Sequence, residues 1–146
     1  MNDDAFKVVY NKALDIISRR EHSQKELTGK LLKKFCEEEI VNSVINNLVE
    51  KNLLNDSRYS EAYVVSRKRK GFGPKKILYE LISRGVIENI AYKAIQNEGG
   101  WKDAALKAFN KKFKKGKAMD FKELNKQKTF LQNRGFSFEE IDSVFT

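Results

Sequence analysis

The sequence predicts an all-α protein made of three tandem three-helix repeats, about nine helices in all. Two observations carry this expectation. Apolar residues recur at three- and four-residue steps along nearly the whole chain, while strand-like alternation is weak throughout. The chain also resembles itself at a spacing of about fifty residues, a period typical of stacked supersecondary units that cannot bury their apolar faces alone. Lys34-Phe35-Cys36-Glu37-Glu38-Glu39-Ile40 aligns with Arg84-Gly85-Val86-Ile87-Glu88-Asn89-Ile90 and, with one residue inserted, with Arg134-Gly135-Phe136-Ser137-Phe138-Glu139-Glu140-Ile141. Leu31, Leu81 and Leu131 keep the same offset, as do Leu27 and Ile77. The expected modules are 1–54, 55–99 and 100–146.

In the first module, Phe6, Val9, Tyr10, Ala13, Leu14 and Ile17 share one face of a helix expected over 5–20. Ser23-Gln24-Lys25-Glu26 has capping-box form and opens a second helix with Leu27, Leu31 and Leu32. Glu37, Glu38 and Glu39 stand where a helix N-terminus favours negative charge, ahead of a third helix with Ile40, Val44, Ile45 and Leu48 inward.

The second module opens at Asn55, Asp56 or Ser57, each able to cap a helix bearing Tyr59, Ala62 and Tyr63. Gly71-Phe72-Gly73 ends that helix. Pro74, the only proline, suits the first turn of the next, because it has no amide hydrogen to leave unsatisfied there. Ile77, Leu78 and Leu81 face inward, and Gly85 supplies a left-handed exit that Gly135 repeats in the third module. Gly99-Gly100 is the expected hinge between modules two and three. In the third module, Asp120-Phe121-Lys122-Glu123 and Ser137-Phe138-Glu139-Glu140 read as capping boxes. Phe121, Leu124, Lys128 and Leu131 are expected on one side of the first of these helices, and Ile141, Val144 and Phe145 inside the last.

Charge is distributed unevenly. The 146 residues hold 29 Lys and Arg against 20 Asp and Glu, a formal net charge of +9. Residues 1–50 carry 8 basic and 9 acidic groups, 51–100 carry 10 and 5, and 101–146 carry 11 and 6. The positive field therefore belongs to the second and third modules, where it attracts polyanions or an acidic protein surface. The basic groups gather where first helices end: Arg19 and Arg20, then Arg67, Lys68, Arg69 and Lys70, then Lys111, Lys112, Lys114 and Lys115. Cations favour helix C-termini for electrostatic reasons, but that effect accounts for one or two charges, not four in a row at 67–70. A chain folded back at Gly71–Gly73 adds Lys75 and Lys76 to the same patch. Tyr59, Tyr63 and Tyr79 lie nearby, and aromatics among cations serve as stacking platforms for single-stranded bases. Tyr59 and Tyr63 fall at core spacing and are expected inside; Trp101 is expected as a plug between modules.

No catalytic or metal-binding pattern stands out. His22 is the sole histidine, expected as a solvated turn residue, and Cys36 is the sole cysteine, followed by three acids that oppose a thiolate. One cysteine excludes an intrachain disulfide or a cysteine zinc cage. Gly71-Phe72-Gly73 lacks the strand context of a dinucleotide loop, and no phosphate cradle ending in Lys-Ser or Lys-Thr occurs. The expectation is a protein that is not an enzyme and uses no cofactor or metal. Met1-Asn2-Asp3-Asp4 is acidic, unlike a signal peptide, and no apolar run matches a bilayer's thickness, so a cytoplasmic location is expected.

The run Leu54-Asn55-Asp56-Ser57-Arg58-Tyr59-Ser60-Glu61-Ala62-Tyr63, then Arg67, then Lys70-Gly71-Phe72-Gly73-Pro74-Lys75-Lys76-Ile77, Glu80-Leu81 and Arg84-Gly85 resembles the signature of the bacterial RecX regulators. Ser18-Arg19-Arg20-Glu21-His22-Ser23-Gln24-Lys25-Glu26-Leu27 is similar to that family's first module. The resemblance covers about 10–97 closely and the third module loosely. It implies an elongated, curved array of three-helix repeats and a modulator of RecA recombinase. Such a modulator binds the RecA filament on single-stranded DNA and suppresses ATP hydrolysis, filament growth and strand exchange; some members bind DNA directly. The residues alone leave a second reading open, a sequence-indifferent DNA-binding repeat protein acting without RecA. Base-specific reading by a third helix is disfavoured, since those helices offer Asn42, Asn46 and Asn47, or Lys93 and Gln96, but no arginine. A monomer is expected, with the filament, single-stranded DNA and duplex DNA as candidate partners.

Overall fold

The computed structural model describes residues 3–146; Met1 and Asn2, which belong to the acidic amino-terminal reading, lie outside the described residues. Among the described residues there are nine α-helices and no strand: α1 Asp3–Ile17, α2 Gln24–Lys34, α3 Glu38–Glu50, α4 Asp56–Arg69, α5 Pro74–Ser83, α6 Glu88–Glu98, α7 Trp101–Lys112, α8 Phe121–Asn133 and α9 Phe138–Phe145. Within each module the first helix packs on the third, α1 on α3, α4 on α6 and α7 on α9, and the middle helix closes the bundle.

Caps set most of these boundaries. The Ser23 hydroxyl accepts from the Glu26 amide at 3.1 Å while the Glu26 carboxylate accepts from the Ser23 amide at 3.2 Å. Ser137 and Glu140 repeat this reciprocal pair at α9. Of the three candidates for α4, Asn55 is the cap, accepting from Arg58. Asp120 caps α8, but the Glu123 carboxylate turns outward to Lys126 rather than completing a box. The first helix ends earlier than the sequence suggests. The Ser18 hydroxyl donates back to the Asp15 carbonyl at 2.7 Å, and Arg19 and Arg20 fall in the α1–α2 turn.

Each module has its own core. Val9, Ala13, Leu27, Leu31, Val41, Val44, Ile45, Leu48 and Leu54 fill the first. The second centres on Tyr59, Val64, Ile77, Leu81 and Val86, and the third on Ala105, Phe109, Leu131, Phe136 and Val144. Trp101 packs against both the second and third cores and its indole N–H donates to the Ile95 carbonyl at 3.1 Å, so it is the expected plug. Burial of each Leu, Ile or Phe contributes about 1.5–3 kcal/mol, which explains how units this small hold together once stacked. The inward face of α8 is turned from the expected one: Phe121 is exposed, Gln127 is buried, and Lys128 lies over the Phe145 ring at 5.4 Å. Gln127 is satisfied there by the Ala118 amide and the Gly116 carbonyl, which tie the long 113–120 connection to the helix.

The modules meet through one repeated device, in which the turn before a module's second helix docks on the turn after the next module's second helix. The Ser23 hydroxyl, at the N-cap of α2, donates to the Arg84 carbonyl at 2.9 Å. The Gly73 amide, at the N-cap of α5, donates to the Arg134 carbonyl at 2.7 Å, and the Lys75 amide to the Gly135 carbonyl at 2.9 Å. The receiving turns carry glycine with positive φ, Gly85 at +89° and Gly135 at +98°. A side chain at Gly135 would strike the Lys76 backbone as well as strain its own. In the first module the corresponding residue is Phe35, with ordinary extended backbone at φ −123°.

Candidate nucleic-acid interface

The cationic residues expected from the sequence divide into bonded and open groups. At the end of α4, the Arg67 guanidinium grips the Glu80 carboxylate with two bonds of 2.9 and 2.7 Å and stacks on Phe72 with 3.8 Å to the ring centroid. Tyr63 donates to the same carboxylate at 2.9 Å. Burial pushes the Glu80 carboxyl up, but the Arg67 and Tyr63 bonds and the charge of Lys76 outweigh it, leaving it below the usual range. Lys68 is held as firmly, bonded to the Glu98 carboxylate and the Gly99 carbonyl, both at 2.9 Å, and lying 5.5 Å from the Trp101 ring. These contacts brace the Gly99-Gly100 link. Arg67 and Lys68 therefore hold α4 to its neighbours, while Arg69, Lys70 and Lys75 are exposed and Lys76 is half-buried.

Arg69 and Lys68 share a recess of about 400 Å³ between α4 and α7 with Lys107 and Lys111, opposed by Glu98 and Asp103. The fold thus brings Lys68 and Arg69 of the 67–70 run together with Lys111 of the next module. Lys112, Lys114 and Lys115 continue outward, all exposed, with Lys112 5.7 Å from the Phe130 ring. Arg19 and Arg20 line a different recess of about 310 Å³ in the first module. Arg19 pairs with Asp15 at 3.3 Å, and Arg20 holds Glu26 with bonds of 3.2 and 3.0 Å.

His22 corrects its sequence reading. It is buried, 2% exposed, with Nδ1 3.0 Å from the Arg20 carbonyl and Nε2 2.8 Å from the Lys30 ammonium. Nδ1–H donating and Nε2 accepting satisfies both atoms of a neutral ring. Burial, with the nearby charges of Arg20 and Lys30, holds its pKa below the ordinary histidine value. Tyr59 is buried and Tyr63 half-buried, as their spacing suggested, and burial with the nearby Glu26 charge pushes the Tyr59 hydroxyl up to about 12. Tyr79 is the open ring of the three, 75% exposed. Arg134 was not among the expected site residues. Its guanidinium donates to the Lys70 carbonyl at 3.3 Å and lies 4.8 Å from the Phe72 ring, inside the basic patch of the module before it. The repeat of Arg84 at Arg134 was the signal that marks it.

Residues 10–48, 55–95 and 102–145 match, in order, the first, second and third three-helix domains of RecX. The chain belongs to the RecX family. It is 35% identical over 144 residues to the regulatory protein RecX of Pseudomonas fluorescens strain SBW25, a match spanning 98% of this chain and 93% of that one. With the regulatory protein RecX of Vibrio campbellii it shares 42% identity over 130 residues, 88% of this chain and 84% of the other. The crystal structure of RecX from Lactobacillus salivarius superposes with a TM-score of 0.81 at 26% identity, covering 99% and 96% of the two chains. The all-α three-module architecture is thus the family's. Among the described residues no helix is long and apolar enough to cross a membrane, and no cluster of metal-ligating side chains occurs.

Proposed function

We propose that this RecX-family chain is a non-catalytic regulator of RecA recombinase, acting as a cytoplasmic monomer. It binds the RecA–single-stranded DNA filament through its basic surface and suppresses ATP hydrolysis, filament growth and strand exchange. The modules 1–54, 55–99 and 100–146 act as one array, and the contact falls on the second and third. The observation that carries this reading is the convergence of Arg69, Lys107 and Lys111 on one recess across a module boundary, continued by exposed Lys70, Lys75, Lys112, Lys114 and Lys115. A surface shared by two modules follows an extended, regularly charged partner better than it encloses a small molecule. Membership in a family of regulatory proteins supports the non-catalytic role.

The test is RecA's DNA-dependent ATPase with and without this protein. Suppression that grows with protein concentration and weakens with salt agrees with the proposal. An unchanged ATPase, with DNA binding retained, favours the DNA-binding protein that acts without RecA.

A further inference from the structure

The two module junctions share a backbone plan and differ in charge. Counting from the N-caps Ser23 and Gly73, the third residue is Glu26 at one junction and Lys76 at the other. Glu26 is the shared anion between two arginines, with Arg20 at 3.0 Å and Arg84 of the next module at 3.3 Å. At the second junction Arg134 holds the place of Arg84, but Lys76 stands where the carboxylate was. The other acids of the first junction also lack counterparts. Glu21, which pairs with Arg58, corresponds to Gly71, and Asp56, the first residue of α4, which accepts from the Gln24 amide at 2.8 Å, is matched at the start of α7 by Trp101.

The second junction consequently gathers cations around one ring. Arg67, Arg134 and Lys76 lie 3.8, 4.8 and 5.1 Å from the Phe72 centroid. Glu80 pairs with Arg67 and also feels the charge of Lys76, while neither Lys76 nor Arg134 forms a close ion pair among the described residues. Like charges crowded in this way are relieved when an anion enters. One helical turn along α5, at three residues from Lys76 and four from Lys75, stands the exposed ring of Tyr79. Residues at these spacings are neighbours on a helix surface.

We propose that this junction is a subsite for single-stranded nucleic acid: Lys76 and Arg134 hold a backbone phosphate where Glu26 stands at the other junction, and Tyr79 stacks an adjoining base. An acidic protein segment would engage the cations and leave the Tyr79 ring without a role; an unstacked strand uses both. The inference rests on the reading that the basic surface meets filament-borne DNA, and it is tested without RecA so that the two can fail separately.

The experiment measures fluorescence anisotropy of the full chain with labelled oligothymidylate and with an abasic strand of equal length. Tyr79→Ala is expected to weaken thymidylate binding by about five- to a hundredfold and to leave the abasic strand unaffected, with Tyr79→Phe binding like the parent. Lys76→Gln alone, which leaves the backbone bonds of the junction in place, and Lys76→Gln with Arg134→Gln should weaken both strands. They should also flatten the log–log salt dependence by about 0.7 for each phosphate no longer neutralised. Thymidylate binding unchanged in Tyr79→Ala, or equal losses in Tyr79→Ala and Tyr79→Phe, overturns the base stack. Parental binding of both strands by the double variant overturns the phosphate seat. If that variant also loses RecA filament, the junction takes an acidic protein segment instead.

Discussion

Gly73 and Gly135 face each other so closely that a side-chain carbon built at Gly73 would lie 2.5 Å from the Gly135 carbonyl carbon. Gly73 sits in ordinary extended backbone at φ −97°, so it is space, not backbone conformation, that excludes any other residue. Gly73→Ala is therefore expected to push modules two and three apart at a cost of about 1–3 kcal/mol, typical of overpacking. Gly29, inside α2 with nothing within 4 Å of its would-be side chain, is the matched control. Gly29→Ala should stabilise by about 0.5–1 kcal/mol. Urea unfolding followed by circular dichroism reads both.

Glu26 should make the first junction sensitive to acid. Its burial works against the charge, but bonds from Arg20 and from the Ser23 amide outweigh this, and the carboxyl titrates below the ordinary range. A carboxyl lowered by folding contributes its stability in full above the unfolded value, and that contribution is lost as pH falls through the folded one. Glu26→Gln is expected to cost about 1–2 kcal/mol at neutral pH, since the bonds it loses are charge-assisted. The variant's stability should also fall less steeply on acidification than the parent's. Parallel pH profiles in urea titrations would contradict this.

His22 acts in a window nearer neutrality. Because its folded pKa is depressed, the unfolded chain takes up a proton that the folded one refuses. Stability is complete above the unfolded histidine value of about 6.5 and declines as pH falls below it. The thermal midpoint should fall between pH 7 and pH 5, and it should fall less in His22→Gln.

The proposed RecA-binding surface is tested by reversing exposed charges only. Arg69→Glu, Lys70→Glu and Lys75→Glu together should leave the melt nearly unchanged, at less than about 0.5 kcal/mol each, and should abolish suppression of RecA's ATPase. The same changes at exposed Lys7, Lys33 and Lys34 of the first module should matter little. Arg67→Glu is different: it breaks the pair with Glu80 and should cost about 1.5–3 kcal/mol. Full suppression by a folded triple variant would place the interface elsewhere.

Helix number and repeat were legible because they depend on local grammar. Ser23 with Glu26, Asn55, Pro74 and Ser137 with Glu140 each declare a helix start within a few residues, and Leu31, Leu81 and Leu131 recur where three cores recur. Long-range pairing was not legible. Nothing adjacent to Arg67 announces Glu80, and nothing beside Lys68 announces Glu98, so the run 67–70 read as four free charges when two of them hold the fold. His22 was misplaced for the same reason, since a turn residue is solvated unless another segment covers it. The rotation of α8 has a local cause that spacing could not reveal: a polar residue, Gln127, is inside because the neighbouring connection supplies its partners.

The docking device has a donor turn and a different acceptor turn, so it is head-to-tail, the kind of contact that propagates without limit unless something stops it. At the matching position of module one stands Phe35, in extended backbone, so that turn lacks the glycine that Gly85 and Gly135 supply. At the other end, the connection of residues 113–120, which precedes α8 as the donor turns precede α2 and α5, is tied to α8 by Gln127. Phe35→Gly is therefore the single change expected to make module one resemble the two acceptor turns, and sedimentation of that variant beside the parent would show whether chains then join head to tail.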